Sequence, residues 1–511
     1  MHRAIAAAPA LLFVPFFAGP AFAHGFGQSY NLPVPLWLYL YGAAAAVVLS
    51  FIPLAMFAGE GQDADAAYRY PRFDLFRVRL LRTLLNARLL VAGLRLLSVG
   101  LFVLVVFAGL FGEQSGYNIA PVFVWVIWWV GFGFFVAFVG NVWPLVNPWK
   151  ILFEWSDGLA RRLGFKGGLE LRAPYPDSLG VWPAVILFLA FVWMENVFSG
   201  SAVPRYLALF ALSYTLITLY AMAYFGKETW LRRGEAFSVF FDLLGRFAPT
   251  EVRTKDTKPC RACEFCGDTG VATDVAAAVA RGECVNCYEC FARAAPEERE
   301  LNLRPFAVGL GRPEPVPPGG VAFVVLVLAG VTYDGLLETP LWVEVVRLTP
   351  VNQTLGLVLL AVLFLGAYLG FVGLSQVLGG GRGFWRFAAA YAFSLVPIAV
   401  AYQVAHYYTL LLVQGQAFVA RLSDPFGWGW NLFGTVGFQP RYGLVGAGFV
   451  WYSQVALIVV GHVIAVYLAH LISLRLLGDP RRALLSQIPM LVLMVLYTVC
   501  SLWILAQPIV E

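Results

Sequence analysis

Charge is what this chain has least of. Only 13% of its 511 residues are Asp, Glu, Lys or Arg, and 5 of the 35 basic residues are lysines, where an ordinary soluble protein is about 25% charged. A water-soluble globule is excluded. Histidine is also scarce, with 5 in the whole chain, so each one carries information. No Walker loop, G-x-S-x-G elbow or H-E-x-x-H occurs, which leaves nucleotide hydrolysis and the common esterase and zincin routes without their motifs. There is no polar low-complexity tract or collagen-like glycine period, and an aromatic share of 16% excludes disorder. No nucleic-acid partner is expected. What is present is a 60% hydrophobic composition with a mean hydropathy of +0.74, that of a polytopic membrane protein. The excess of Arg over Lys and the Ala runs suit a GC-rich bacterial genome.

The first 23 residues read as a signal peptide: His2 and Arg3, an apolar stretch from Ala4 to Ala18, then the small-x-small end Pro20-Ala-Phe-Ala23. Cleavage there leaves His24 as the mature N-terminus. Ten apolar runs follow, at about 34–58, 89–112, 122–143, 181–198, 205–226, 321–337, 355–378, 387–412, 448–472 and 486–507, each near the ~20 residues that span a bilayer core. With the mature N-terminus outside, the inward loops hold 29 of the 35 basic residues, as the positive-inside rule demands. The expected fold is an all-α polytopic membrane protein of about ten transmembrane helices with a small Cys-rich insert. It is expected in the bacterial cytoplasmic (inner) membrane, with the lipid bilayer as its first partner and its mature N-terminus periplasmic. Its expected regions are a five-helix N-terminal membrane part (24–226), a cytoplasmic insert (227–320) and a five-helix C-terminal membrane part (321–511).

Six of the 7 cysteines fall in that insert, as Cys260-x2-Cys263-x2-Cys266, then 17 residues, then Cys284-x2-Cys287-x2-Cys290. A reducing cytoplasm disfavours disulfides and favours thiolates on metal. Read as zinc, Cys263, Cys266, Cys284 and Cys287 match a four-thiolate structural site. Read as iron–sulfur, each triplet resembles three-quarters of a bacterial ferredoxin run, with Ala294 and Gly270 where the fourth cysteines belong. Both readings stand. The Ala-rich stretch 273–281 predicts a helix joining the triplets, and 313–318 a Pro-rich tether. Cys500, alone in the last apolar run, reads as a buried small hydrophobe.

Ionisable groups inside spans are costly and mark function by default. Glu195, Asp334 and His406, with Gln403 one turn before it, fall in one layer near the outer ends of their helices. Two carboxylates and an imidazole can bind a divalent ion and activate water, and His24 could add a ligand at the same outer leaflet. His462 lies about 12 Å deeper than His406 at ~1.5 Å per residue, which argues against a haem shared between them. His462 and His470 read as structural. Asn141-Val-Trp-Pro144 with Asn147-Pro-Trp149 predicts a broken helix end, and the outward stretch Asp424 to Thr435 a lid or an aromatic belt.

Several stretches resemble the bacterial membrane proteins known as fenitrothion hydrolase-like. They are His24-Gly-Phe-Gly27 before Leu32-Pro-Val-Pro-Leu-Trp-Leu38, Ala405-His-Tyr407 with Gln414-Gly-Gln416, Asp424-Pro-Phe-Gly-Trp428, Trp451-Tyr-x-Gln454 with Gly461-His462 and Ala469-His470, and Asp479-Pro-Arg-Arg482. The resemblance implies hydrolysis of a small lipophilic organophosphorus triester at its P–O–aryl bond. The first expectation is therefore a membrane metalloprotein in which Asp334, Glu195 and His406 bind metal or serve as base. The second is a membrane redox or metal-handling protein whose cytoplasmic site, drawn from the six insert cysteines, serves a redox partner. The third is a transporter gated by the same polar layer.

Overall fold

The computed structural model describes residues 31–56, 70–255, 284–311, 316–349 and 352–507. The expected signal peptide, His24, Cys260, Cys263, Cys266, the expected helix at 273–281 and the first half of the Pro-rich tether (313–315) lie outside these residues.

Among the described residues nine helices are long and apolar enough to cross a membrane. In chain order the main helices begin with α1 (Leu36–Met56), α2 (Arg88–Phe111), α3 (Ile119–Phe138) and α4 (Pro148–Arg162). Then come α5 (Trp182–Asn196), α6 (Pro204–Phe225), α7 (Ala236–Phe247) and the short α8 (Tyr288–Arg293). The C-terminal part holds α9 (Pro318–Leu337), α10 (Gln353–Gly379), α11 (Phe384–Ser423), α12 (Ala447–Leu477) and α13 (Pro480–Ala506). The run expected as a tenth span, 181–198, is the 15-residue α5, about 22 Å long at 1.5 Å per residue. Pro183 opens it, and Asn196 and the Ser-Gly turn beyond it end it.

Helix α9 is apolar on every side because it is enclosed on every side: all residues from Val321 to Gly335 are buried. It packs against α5, α10, α11 and α13. The peripheral α2 and α10 are equally apolar but leave Leu96, Leu97, Val362 and Leu363 exposed, as lipid-facing helices do. Cys500 is on such an exposed side of α13, so it is a surface residue of the bundle and not the core filler expected.

Two irregular stretches shape the interior. Val122–Phe132 within α3 is π-helical, a wide turn frequent at functional sites. Helix α11 narrows to a 3-10 turn at Phe393–Leu395, because Pro397 has no N–H to give and its ring crowds the carbonyl four residues back.

At one end of the bundle, called here the insert side, lies a four-stranded antiparallel sheet of β1 (Phe73–Asp74), β2 (Thr250–Thr254), β3 (Cys284–Val285) and β4 (Arg299–Leu303), in the order β1-β4-β2-β3. Glu251 pairs with Asn302 in the β2–β4 register, and its buried carboxylate takes Arg304 Nη1 at 2.9 Å, Arg72 Nε at 2.7 Å and the Tyr70 hydroxyl at 2.6 Å. Arg304 also donates to the carbonyls of Gly245, Arg246 and Ala248, the unfilled acceptors at the end of α7. Residues 236–247 fold with the helical body, burying Phe237, Phe240, Phe241 and Leu244, and the sheet-bearing insert starts at Thr250.

Candidate functional site

One group of buried polar residues of the bundle converges at the end opposite the insert. Asp334, near the C-terminus of α9, is their hub. Its Oδ2 lies 2.8 Å from His406 Nε2 and 2.7 Å from the Tyr407 hydroxyl, both on α11. The Tyr407 oxygen is also 3.2 Å from Oε1 of Glu195 on α5. That same Oε1 accepts the indole N–H of Trp129 at 2.7 Å, presented by the π-helical turn of α3. Four helices therefore meet on one contiguous hydrogen-bonded string. Gly335 makes the approach feasible: a Cβ there would stand 2.7 Å from Ile504 Cγ2 and 2.9 Å from the Tyr402 hydroxyl.

Hydrogen-bond valence gives the string its chemistry. A phenol has one proton, so Tyr407 donates to Asp334 or to Glu195 but not to both at once. The remaining oxygen–oxygen contact is attractive only when a carboxyl brings a proton of its own. Three oxygens and the His406 imidazole are thus contiguous sites between which a proton can pass. Beside them is a gap of about 10 Å³ lined by Glu195, Gln403, Tyr407, Trp129 and Gly330, the size of one water.

Just beyond the C-terminus of α9, Glu338 extends the site. Burial pushes its carboxyl up to about 7; His406 pulls it down and Asp334 pushes it up. It is the acid nearest the surface in this group.

The structure thus joins Asp334 and His406 directly and reaches Glu195 through Tyr407. Gln403 lines the gap with Glu195 and Tyr407. Among the described residues no three His, Cys, Asp or Glu side chains converge as a set of metal ligands. His462 lies elsewhere, with its Nδ1 2.8 Å from the Ile458 carbonyl and its ring centroid 6.0 Å from that of Tyr497. Reading the sequence for ionisable groups missed Tyr407 and Trp129. Tyr407 follows His406 and lies one turn after Gln403, but among 22 tyrosines it does not stand out, and Trp129 reads as packing within an aromatic run.

In the insert, Cys284 belongs to β3, Cys287 precedes α8 and is half-buried, and Cys290 is fully buried. Helix α8 is clamped to the helical body. Glu289 pairs with Lys150 of α4 at 3.0 Å, and the Tyr288 hydroxyl donates to the Asn141 carbonyl at 2.5 Å at the broken end of α3. Next to that clamp Lys227 pairs with Glu154 at 2.9 Å and with Glu228 at 3.0 Å, and Arg95 also bonds Glu154. Burial raises the Glu154 carboxyl, but Lys227, Lys150 and Arg95 together hold it below the usual carboxylate range.

At the far end, Asp424 accepts the backbone N–H groups of Trp428 (3.0 Å) and Gly429 (2.7 Å). The Pro425 and Phe426 carbonyls take Ile119 N and Glu113 N, so this stretch is docked on the turn between α2 and α3. Searches of protein-family models, curated proteins and solved structures find no match to this chain.

Proposed function

We propose that this chain is a multi-pass membrane protein whose interior, at the end opposite the insert, works as a proton relay. The string Glu195–Tyr407–Asp334–His406 hands a proton along contiguous hydrogen bonds, with Glu338 as its surface acid. The observation that carries this reading is the Tyr407 hydroxyl, within hydrogen-bond distance of both carboxyls while Asp334 also holds His406. The bias of basic residues towards the insert side supports an orientation with the insert in the cytoplasm and the relay facing the periplasm. Ionisable chains of this kind inside a membrane suit proton-coupled transport. Infrared titration of the purified protein tests the relay: the C=O stretch of a shared, protonated carboxyl should change in Glu195→Gln, Asp334→Asn and Tyr407→Phe proteins alike.

A second reading, hydrolysis of lipophilic organophosphorus triesters, is favoured by the His406–Asp334 pair, since an imidazole oriented by a carboxylate is the arrangement of a general base. In that role His406 would activate water, with Asp334 and Glu195 orienting it or holding a divalent ion. The adjoining gap holds one water and not an aryl group, so the substrate would approach from the Glu338 side. Release of nitrophenol from an aryl phosphotriester, lost in His406→Ala protein, tests it. The cytoplasmic insert is read as a separate metal-holding part, zinc or iron–sulfur, for which its six thiols are suited.

A further inference from the structure

We infer that the relay continues through the C-terminal helices to the insert side, so that the protein conducts protons across the whole membrane. The inference rests on the relay reading above and extends it to residues on α9, α11, α12 and α13 that the relay does not use.

The extension starts at Tyr402, one turn from His406 on α11 towards the insert, with ring centroids 6.1 Å apart. Its hydroxyl is fully buried and has no hydrogen-bond partner. The titratable groups around it are Tyr497, Cys500, Asp334 and Glu338. Tyr497 lies 6.2 Å away by centroids, and its hydroxyl is 2.6 Å from Thr332 Oγ1 on α9. Tyr497 in turn stands 6.0 Å from the ring of His462.

His462 is built as a proton carrier. Its Nδ1 faces the Ile458 carbonyl at 2.8 Å, and a carbonyl only accepts, so Nδ1 holds the ring proton and Nε2 presents a lone pair. That Nε2 is buried without a partner. Gly461 sets its position: a Cβ there would come 2.4 Å from Ala401 Cβ and 2.9 Å from the Pro397 carbonyl, so α12 presses directly on α11 at this level.

Eight residues on, about 12 Å along the helix, His470 repeats the arrangement. Its Nδ1 donates to Gln487 Oε1 at 3.1 Å. The Gln487 amide is fixed in that sense because its nitrogen donates to the Ala483 carbonyl at 2.7 Å. His470 Nε2 is again buried and unpartnered. One turn further, the Tyr391 hydroxyl meets Ser473 at 2.5 Å and Ser486 at 3.2 Å, close to Arg475, which bonds the Gly311 carbonyl of the insert side.

Leaving a buried polar group unmade costs about 1–3 kcal/mol, so apolar residues would serve packing better at each of these positions. Three such groups, Tyr402 on α11 and the two histidines on α12, follow one another in depth between Asp334 and the insert side, the order a conduction path needs. In each passage Tyr402 and Tyr497 accept one proton and release another. His462, its Nδ1–H staying on Ile458, takes a proton on Nε2, becomes imidazolium, and gives the same proton up from Nε2 to water, which would carry it about 12 Å to His470 Nε2. One proton crosses per cycle, and every group returns to its starting state.

The test uses the full chain in liposomes with an entrapped pH dye and a potassium diffusion potential, negative inside. The wild type should acidify the lumen, and Tyr402→Phe and His462→Leu should each slow the initial rate about 100-fold, while the infrared signal of the Glu195–Asp334 relay persists in both. Tyr402→Phe removes a buried hydroxyl that bonds nothing, so its thermal unfolding should not fall and its flux is interpretable even if His462→Leu protein misfolds. Wild-type liposomes that fail to acidify while the infrared signal is intact would overturn the inference and leave the relay standing. So would a flux that neither substitution slows. A wild type without the infrared signal would remove the relay, and the inference with it.

Discussion

The Tyr407 hydroxyl donates to Asp334 Oδ2 at 2.7 Å, and this bond joins the two halves of the buried network, Trp129–Glu195 on one side and Asp334–His406 on the other. Replacing Tyr407 by Phe keeps the ring packing and removes only the joint. The protein should stay folded, losing about 1.5–3 kcal/mol, as for a hydrogen bond to a charged group. Thermal unfolding in detergent measures the loss. A larger collapse would mean that Tyr407 is a packing residue first.

Asp334 accepts from two partners, so its substitutions should separate by size. Asp334→Ala leaves His406 and Tyr407 without their acceptor and should cost about 3–5 kcal/mol. Asp334→Asn keeps an acceptor oxygen and should cost less. Equal losses in chemical unfolding would contradict the hub role.

Glu338 makes stability depend on pH. Its carboxyl is raised from 4.5 to about 7, so between those values the folded chain binds more protons than the unfolded one. Its contribution is therefore complete below pH 4.5 and is lost as pH rises through 7. Glu338→Gln should remove this slope and raise stability at pH 8 by on the order of 1 kcal/mol, allowing for its partial exposure. An identical pH profile of the melting temperature in wild type and variant would contradict the assignment.

The insert should carry metal. Anaerobically purified protein is expected to hold iron with a broad visible band, or zinc alone, and Cys287→Ser, which removes a thiol common to both readings, should lower the metal content while leaving the helical body folded. Elemental analysis with absorption spectroscopy decides between the two, and a metal-free protein contradicts both.

How much of this was legible in the sequence depended on whether a signal was local. Apolar runs of span length placed nine long helices, because hydrophobicity over about 20 residues needs no partner to be read. The run 181–198 is likewise an apolar helix, α5, bounded by Pro183 and Asn196 and shorter than the nine, while the rule could not show that Ala236–Phe247 packs into the body. Asp334, Glu195 and His406 stood out as ionisable groups in apolar surroundings. Tyr407 did not, since its role comes from a register between α5, α9 and α11 that no single helix encodes. The π-helical turn that aims Trp129 at Glu195, and the two bare histidine nitrogens on α12, are likewise products of packing.

The measurement that bears most directly on the relay is the infrared carboxyl spectrum of Tyr407→Phe protein beside wild type across a pH titration. Both carboxyls survive in the variant, so only their shared proton is at stake. A C=O stretch that shifts or splits when the hydroxyl is removed is the predicted result. A spectrum identical to wild type at every pH would contradict it, because two carboxyls that ignore the loss of Tyr407 are not sharing a proton through it.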